Sequence, residues 1–398
     1  MHIVADENIP LLDGFFSTLG QITTLPGRQI SRHDLRSADV LLVRSVTQVN
    51  AELLQGTPVR FVGTCTIGTD HLDLPWLAAQ GITAASAPGC NARGVVEYVL
   101  SCLLTLAERT GQDWRSRKVG IVGVGQVGSR LAATLQGLGV TTLLCDPPRQ
   151  ACGTNGFVAL DTLLSEADVI SCHVPLTRDG ADATWHLFDQ KRLHSLRPGA
   201  WLINSSRGPV VDAQALEALL AERDDVQAVL DVWEQEPLVS RSLADRCALA
   251  TPHIAGYSLD GKLRGTAQIY QALCAFLGEP EQHKLDQLAP SDGVARLIMA
   301  LDLERSGSVN SGQVLEDEIL RRALRYVYDV RDDDARMRRM LLDAAGTDDY
   351  AQACRHGFDR LRRNYPLRRE NPLLTLDLPA EAPERLRGAL GSAGFTLT

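Results

Sequence analysis

Short apolar runs alternate with helix-like patterns in the first 90 residues. The apolar runs are His2–Ala5, Val40–Val43, Val59–Gly63 and Ile82–Ala85. Between the last two runs, apolar side chains recur at helical spacing, at Leu72, Leu74, Trp76 and Leu77. Short buried strands that alternate with helices favour a parallel sheet covered by helices. We therefore predict a first α/β lobe in this part of the chain.

Polar side chains follow the apolar runs of this lobe. Arg44 and Ser45 come directly after the second run, and Thr66 comes shortly after the third. In open α/β sheets, ligands bind outside the carboxyl ends of the strands. These three residues are therefore candidates for one binding edge. An alternative interpretation is that Ser45 and Thr66 only cap local turns.

A second series of apolar runs begins after a long predicted helix, Val95–Thr110. Its predicted strands are Val119–Val122, Thr141–Cys145, Asp168–His173, Ala200–Asn204 and Ala228–Val232. Residues 129–138 and 212–222 carry apolar positions at helical spacing between these runs. The alternation predicts a doubly wound domain over residues 118 to about 253.

The first loop of this domain is rich in glycine. Residues 123–128 read Gly-Val-Gly-Gln-Val-Gly between a predicted strand and a predicted helix. In a dinucleotide-binding turn, Gly123 makes the tight turn, Gly125 lets the pyrophosphate approach, and Gly128 lets helix and strand pack closely. The helix N-terminus offers free N–H groups to the phosphates. We expect this turn, including Gln126 and Val127, to bind a dinucleotide.

An acidic residue follows the next predicted strand. Asp146 lies 18 residues after Gly128, where a carboxylate accepts hydrogen bonds from the adenosine ribose hydroxyls. A carboxylate repels a 2′-phosphate, so we predict that NAD is preferred over NADP, and that the nearby Arg149 weakens this preference. Glycine-rich turns also occur in unrelated loops, but the flanking strand, helix and acid favour a true dinucleotide site.

The end of the chain differs in composition. A helix at Leu263–Gly278 is predicted to return to the first lobe, and residues 280–292 are predicted to form a linker. Residues 293–398 contain an amphipathic helix near 315–327, arginine-rich stretches at 336–339 and 360–369, and two further apolar runs. We predict a substrate-binding lobe over 1–94 with 257–285, a dinucleotide domain over 95–256, and a small C-terminal domain over 286–398.

Composition excludes several classes of protein. The 398 residues are 44% hydrophobic and 22% charged, which is typical of a folded globular chain, and the net charge of −9 argues against nucleic-acid binding. Apolar runs stay shorter than the roughly 18 residues that a membrane-spanning helix needs. The N-terminus lacks the features of a signal peptide, and nine cysteines without a C-x-x-C pattern indicate a reducing cytosol. We expect a cytoplasmic protein with no metal site.

Three polar side chains follow different strands of the dinucleotide domain: Arg207, Glu236 and His253. Hydride removal from an alcohol carbon needs a base for the hydroxyl proton, and the pKa of histidine suits that role. A carboxylate such as Glu236 orients the imidazole, and an arginine binds a carboxylate in a bidentate manner. Singly, these residues are as easily explained as a turn, a solvated loop and a capping residue. Together they form the set that oxidises a 2-hydroxy acid.

These residues also lie in recognisable segments. Residues 204–212 (Asn-Ser-Ser-Arg-Gly-Pro-Val-Val-Asp), 231–237 (Asp-Val-Trp-Glu-Gln-Glu-Pro) and 251–253 (Thr-Pro-His) resemble the signature of the D-isomer-specific 2-hydroxyacid dehydrogenases. The resemblance implies that Arg207 holds the substrate carboxylate, Glu236 tunes the histidine, and His253 acts as acid and base. The predicted fold class is α/β, with two doubly wound parallel-sheet (Rossmann/flavodoxin-like) lobes, a cleft between them and a small C-terminal α+β domain.

A narrower resemblance covers nearly the whole chain. Residues 6–10, 43–47, 68–71, 87–91, 145–148, 253–257, 328–331 and 358–365 resemble a branch of that family that acts on a phosphorylated 2-hydroxy acid in vitamin B6 synthesis. The resemblance implies a homodimer built through the C-terminal domain. It also implies substrate contacts from Ser45, Thr66 and Tyr257, and NAD contacts from Asp146, Val174, Ser205, Ser206, Arg207, Asp231 and Gly256.

The phosphate of such a substrate needs hydrogen-bond donors. Arg44 and the hydroxyl of Ser45 are the local candidates. The arginines of 360–369 could instead reach the site of a neighbouring subunit, although such clusters more often form solvated faces or dimer contacts. Two other functions stay open: a dehydrogenase for 3-phosphoglycerate, glycerate or lactate, and a non-catalytic NAD-sensing module.

Overall fold

A computed structural model describes residues 1–291, 295–299 and 311–398 of the chain. In chain order, the strands are β1 (His2–Asp6), β2 (Gln21–Leu25), β3 (Val40–Val43), β4 (Phe61–Thr64), β5 (Thr83–Ala85), β6 (Val119–Val122), β7 (Thr142–Cys145), β8 (Val169–Cys172), β9 (Trp201–Asn204), β10 (Gln227–Leu230), β11 (Leu249–Ala250), β12 (Ala295–Ile298), β13 (Leu374–Asp377) and β14 (Thr396–Leu397).

The helices are α1 (Leu12–Phe16), α2 (Ala51–Leu54), α3 (Leu74–Ala79), α4 (Ala92–Thr110), α5 (Gln126–Gly137), α6 (Pro147–Ala151), α7 (Leu160–Glu166), α8 (Gln190–His194), α9 (Ala213–Glu222), α10 (Arg241–Arg246), α11 (Leu259–Leu277), α12 (Leu285–Leu288), α13 (Ser311–Val327), α14 (Val330–Ala345), α15 (Tyr350–Arg363) and α16 (Glu384–Ser392). In the described part of the chain, no helix is both long enough and apolar enough to cross a membrane.

The first compact unit comprises residues 1–92 and 257–292. Its parallel sheet has the strand order β2-β1-β3-β4-β5. One face packs against α1 and α11, where the rings of Phe15 and Phe16 lie 5.2 Å and 5.7 Å from the ring of Tyr270. Leu285 and Leu288, in the segment predicted to be a linker, form α12 and pack against the same core.

The second compact unit comprises residues 93–256 and 293–398. Its main sheet is parallel, with the order β11-β10-β9-β8-β6-β7. Because β7 and β8 lie on opposite sides of β6, the strand order reverses at β6. Ligands of open α/β sheets bind at such a reversal, so the glycine-rich turn after β6 occupies the expected binding position.

The C-terminal segment packs against the edge of this sheet. Helix α14 lies along β11, and the Asp334 carboxylate accepts a 2.8 Å hydrogen bond from the N–H of Ala250. Met337, Leu341 and Phe358 are buried in the same apolar core as the sheet. An edge strand exposes unpaired backbone groups, and this packing covers them. The segment also forms a small parallel sheet, β12-β13-β14, and its role as a separate dimerisation domain stays a prediction.

Candidate active site

The glycine-rich turn has the geometry that a dinucleotide needs. Gly123 has φ +86°, a backbone conformation that favours glycine, and a Cβ there would lie 2.7 Å from the carbonyl oxygen of His173. A Cβ on Gly128 would lie 2.0 Å from the carbonyl oxygen of Gly123. At Gly125, a Cβ would meet no atom beyond its chain neighbours within 4 Å in the described chain. Two glycines therefore serve close packing, and Gly125 leaves open space at the N-terminus of α5.

The acidic residue predicted to bind ribose lies beside this turn. Asp146 Oδ2 accepts a 2.8 Å hydrogen bond from the N–H of Val124, and Oδ1 accepts a 3.0 Å bond from the N–H of Arg149. The guanidinium of Arg149 donates to the carbonyl oxygen of Val124 at 2.5 Å. The structure therefore places the acid and Arg149 together at the turn.

The segments predicted to contact the rest of the dinucleotide lie at the same end of the sheet. The Cγ1 atom of Val174, after β8, would lie 2.8 Å from a Cβ on Gly123. After β9, the hydroxyl of Ser206 donates to the side chain of Asn204 at 2.8 Å. The buried hydroxyl of Ser205 has no hydrogen-bond partner among the described residues. An open turn, an acid beside it and a buried hydroxyl without a partner fit NAD as the bound group.

Glu236 and His253 form a direct pair. Glu236 Oε1 lies 2.6 Å from His253 Nδ1, and its other oxygen accepts a 3.1 Å hydrogen bond from the N–H of Trp233. The two side chains are 27% and 30% exposed, so water and ligands can reach them. An Nδ1–H that donates to Glu236 leaves the lone pair of a neutral imidazole on Nε2. The pair therefore has the arrangement of a general base and its orienting carboxylate.

The surroundings of Glu236 favour its ionised form. Burial opposes ionisation, but the imidazole of His253, the guanidinium of Arg362 and the N–H of Trp233 outweigh it, and the pKa of Glu236 falls below its usual value. The carboxylate is therefore ionised at neutral pH and stabilises the imidazolium that forms when His253 takes a proton.

The backbone that carries His253 is unusual. Its φ is +56°, in the left-handed region that residues with a Cβ seldom occupy. The carboxylate of Asp231 accepts hydrogen bonds from the N–H groups of Ile254 at 2.8 Å and Ala255 at 2.9 Å, and from the hydroxyl of Thr251 at 2.6 Å. These bonds define the loop of residues 251–256, here called the histidine loop. Such a conformation persists only where its surroundings hold it.

Arg207 lies on a loop that packs against the segment leading to Glu236. A Cβ on Gly208 would lie 2.0 Å from the carbonyl oxygen of Trp233, so the two loops touch at their backbones. The Arg207 guanidinium donates to the carbonyl oxygen of Ser206 at 2.8 Å. The structure therefore brings the segments of Arg207 and Glu236 together, while the roles of the two side chains toward substrate stay predictions.

The predicted substrate-side residues lie in the first unit. The Arg44 guanidinium is 5.9 Å from the ring centroid of Tyr257 and donates to the carbonyl oxygen of Asn8 at 3.4 Å. Ser45 is exposed, and Thr66 donates to the carbonyl oxygen of Gly68 at 3.1 Å. The bond of Thr66 is the local turn contact that the alternative interpretation predicts, so its role toward substrate stays a prediction.

Sequence reasoning missed two cations, one beside Tyr257 in the first unit and one acting on Glu236 in the second unit. The ammonium of Lys262 lies 4.9 Å from the ring centroid of Tyr257. Lys262 belongs to the first turn of α11. Arg362, considered above for a neighbouring subunit, acts electrostatically on Glu236 of its own chain. The position of Lys262, five residues after Tyr257, was a usable signal, whereas nothing local connects Arg362 to Glu236.

The thiol beside Thr66 is a core residue. Cys65 is buried, and burial raises the pKa of its thiol to about 12. The thiol is therefore protonated at neutral pH and a poor nucleophile. The described residues contain no group of three or more His, Cys, Asp and Glu side chains that could hold a metal ion.

Comparison with known proteins identifies the family. Residues 104–255 match the family model of the D-isomer specific 2-hydroxyacid dehydrogenase NAD binding domain. The chain is 54% identical to erythronate-4-phosphate dehydrogenase of Pseudomonas fluorescens (strain Pf0-1), over 98% of this chain and 99% of that protein. It is 56% identical to erythronate-4-phosphate dehydrogenase of Ectopseudomonas mendocina, over 99% and 100% of the two chains. The chain belongs to the erythronate-4-phosphate dehydrogenase family.

Solved structures agree with this family and its NAD-binding domain. The D-lactate dehydrogenase of Aquifex aeolicus, complexed with NAD and lactic acid, aligns with a TM-score of 0.59 and 25% identity over 70% of this chain and 96% of its own. The NAD-dependent formate dehydrogenase of Staphylococcus aureus, in complex with NAD, aligns with a TM-score of 0.59 and 25% identity over 71% and 97%. Residues 301–391 match the family model of a domain of unknown function, DUF3410.

Proposed function

We propose that this protein oxidises 4-phospho-D-erythronate to (R)-3-hydroxy-2-oxo-4-phosphooxybutanoate with NAD, in the synthesis of pyridoxal 5′-phosphate. The observation that carries the proposal is the 2.6 Å pair of His253 and Glu236, in the same unit as the glycine-rich turn. Relatives named for this reaction at 54–56% identity support it.

His253, Glu236 and Arg207 have different roles in the reaction. His253 Nε2 takes the proton of the substrate's C2 hydroxyl while the C2 hydrogen leaves as hydride, and the C2–O bond becomes a carbonyl. NAD held at the glycine-rich turn would supply the hydride acceptor. The ionised Glu236 stabilises the resulting imidazolium, and Arg207 binds the C1 carboxylate. In the reverse direction, His253 returns the proton to the carbonyl oxygen.

Cations of the first unit select the phosphorylated substrate. Arg44 and Lys262 both lie against the ring of Tyr257, at 5.9 Å and 4.9 Å from its centroid. Two positive charges on one aromatic side chain suit a phosphate dianion, and Ser45 and Thr66 add hydroxyl donors. Replacing Arg44 by Gln should raise KM for phosphorylated substrates about tenfold or more, whereas KM for D-erythronate, which lacks the phosphate, should hardly change.

The decisive experiment is a panel of 2-hydroxy acids assayed by NADH absorbance. The panel comprises 4-phospho-D-erythronate, D-erythronate, 3-phospho-D-glycerate, D-glycerate and D-lactate. We expect the highest kcat/KM with 4-phospho-D-erythronate. His253→Ala should lower kcat by about 10²–10⁴ while NAD still binds in a fluorescence titration. A preference for 3-phosphoglycerate would identify a different dehydrogenase, and NAD binding without turnover of any substrate would indicate a sensor.

We further propose a cytosolic homodimer that assembles through the C-terminal segment. Large apolar side chains are exposed there, at Ile298, Tyr326, Leu342 and Leu367. Most soluble oligomers close as two-fold dimers, which would cover such side chains. Light scattering of the purified protein tests the dimer, and Leu342→Glu with Leu367→Glu should shift it toward the monomer. An unchanged dimer mass in the double variant would place the interface elsewhere.

A further inference from the structure

An arginine of the C-terminal segment, Arg368, contacts the histidine loop. Arg368 is buried, with its side chain 3% exposed. One end of its guanidinium donates to the carbonyl oxygen of Ala255 at 3.1 Å, and the other donates to the carbonyl oxygen of Gly94 at 2.6 Å. Ala255 lies two residues after His253, and Gly94 lies near the start of α4. The guanidinium therefore ties the end of the histidine loop to the long helix.

The peptide groups of Ala255 are held from two directions. Its N–H donates to the carboxylate of Asp231 at 2.9 Å, while its carbonyl oxygen accepts from Arg368. At the other end of the loop, the N–H of Ala250 donates to Asp334, which also belongs to the C-terminal segment. The left-handed backbone of His253 lies between these two attachments, so their loss would let it relax.

The C-terminal segment also fixes Arg368 itself. The guanidinium lies 3.6 Å from the ring centroid of Tyr328. The hydroxyls of Tyr328 and Tyr365 donate to one oxygen of Asp333 at 3.0 Å and 2.8 Å, which orients both rings beside the arginine. Glu97 of α4 supplies a carboxylate oxygen 3.5 Å from the guanidinium. A buried cation is tolerated where aromatic and anionic groups surround it, and here most of them come from outside the dinucleotide domain.

We propose that Arg368 is a positioning residue for the acid–base histidine: it holds the histidine loop so that His253 Nδ1 meets Glu236. The C-terminal segment then contributes to turnover as well as to packing, and its DUF3410 region gains a function. The proposal rests on the proposed function only in its kinetic readout, because the position of the loop can be measured without substrate.

The test compares Arg368 with a matched arginine. Arg115 is also buried, with its side chain 8% exposed, and it joins the same C-terminal segment to the same unit through Glu316 at 2.7 Å. Within the described part of the chain, its guanidinium contacts Trp114, Glu316 and Asp317, which all lie outside the histidine loop. Arg368→Lys, Arg368→Met and Arg115→Lys are purified as full-length proteins. Each is assayed for kcat and KM, for NAD affinity by fluorescence, and for hydrogen exchange of the peptide spanning residues 251–256.

We expect kcat to fall about tenfold in Arg368→Lys and about 10²-fold in Arg368→Met, because small misplacements of a catalytic group are costly. KM and NAD affinity should stay within about threefold, and exchange of the 251–256 peptide should accelerate in both variants. Arg115→Lys should keep kcat within about twofold and exchange unchanged. The lysine variant retains the positive charge and one donor nitrogen, so it remains informative if the methionine variant does not fold.

Either of two results would overturn the proposal: normal kcat and normal exchange in Arg368→Lys, or an equal loss of kcat in Arg115→Lys. The outcomes also separate the positioning role of Arg368 from the proposed dehydrogenase activity. A wild-type protein that oxidises no 2-hydroxy acid contradicts the proposed function, whereas faster exchange of residues 251–256 in the Arg368 variants, but not in Arg115→Lys, would still show that Arg368 holds the loop.

Discussion

Asp231→Asn is the most direct perturbation of the histidine loop from within the dinucleotide domain. The carboxylate is buried, and three donors converge on it: Thr251 and Ile254 on Oδ1, and Ala255 on Oδ2. An asparagine oxygen in place of Oδ1 keeps the first two bonds, but its NH₂ group then faces the N–H of Ala255. The loss is one charge-assisted hydrogen bond, with two donors left opposed, which costs about 2 kcal/mol.

That cost should lower the local stability of the histidine loop more than the free energy of unfolding of the whole protein. Hydrogen exchange of the 251–256 peptide should accelerate about 30-fold, which corresponds to about 2 kcal/mol of local stability. The indole of Trp233 donates to the carbonyl oxygen of Thr251 at 3.0 Å, so tryptophan fluorescence should report the same change. Because His253 loses its backbone support, kcat should fall together with exchange protection. Gln227→Glu, at a half-buried position of the strand β10 that leads to Asp231, provides a charge-changing control.

Two results would refute this reasoning. Unchanged exchange of residues 251–256 in Asp231→Asn would show that the three hydrogen bonds do not hold the loop. Faster exchange with an unchanged kcat would show that the loop can move without displacing His253 from Glu236, and would weaken the positioning argument for Arg368 as well.

Three further predictions concern cofactor binding and pH. Gly125→Ala should lower NAD affinity about tenfold or more at an unchanged melting temperature, and normal NAD affinity in this variant would show that the pyrophosphate does not lie at Gly125. Gly128→Ala should instead lower the melting temperature, because its Cβ would lie 2.0 Å from the carbonyl oxygen of Gly123. Asp146→Ser keeps a hydrogen-bond acceptor for the N-terminus of α6 but removes the negative charge. The value of kcat/KM with NAD divided by that with NADP should therefore fall about tenfold, and an unchanged ratio would show that Asp146 does not face the ribose. Burial lowers the pKa of His173 to about 3, so unfolding between pH 6.5 and 3 takes up a proton. The free energy of unfolding should therefore decrease as the pH decreases through this range, by at most about 1.4 kcal/mol per pH unit. His173→Gln should flatten this dependence in urea titrations, and an equal slope in both proteins would contradict it.

Local patterns predicted much of the fold because burial repeats along each element. The predicted runs at 40–43, 119–122 and 200–204 contain the central strands β3, β6 and β9, whose two faces are both covered. The edge strand Gln21–Leu25 was missed, because its polar residues and its partial exposure leave no apolar run to detect. The turn at 123–128 could be predicted because Gly123 and Gly128 are required by the local backbone or by close packing. Asp146 could be predicted because it directly follows the next strand.

The sequence by itself determined the parallel sheets, the glycine-rich turn and the residue types of a hydride-transfer site, because each of these depends on the conformation or burial of a few adjacent positions. Only the tertiary structure decided which groups meet. Glu236 and His253 are 17 residues apart along the chain, and Arg368 and Ala255 are 113 apart. Periodicity records that a position is buried but not what buries it. For that reason the arginine-rich C-terminal stretch predicts a solvated face, a dimer contact or a neighbouring subunit's site, whereas Arg368 lies in the interior and contacts the loop of the acid–base histidine.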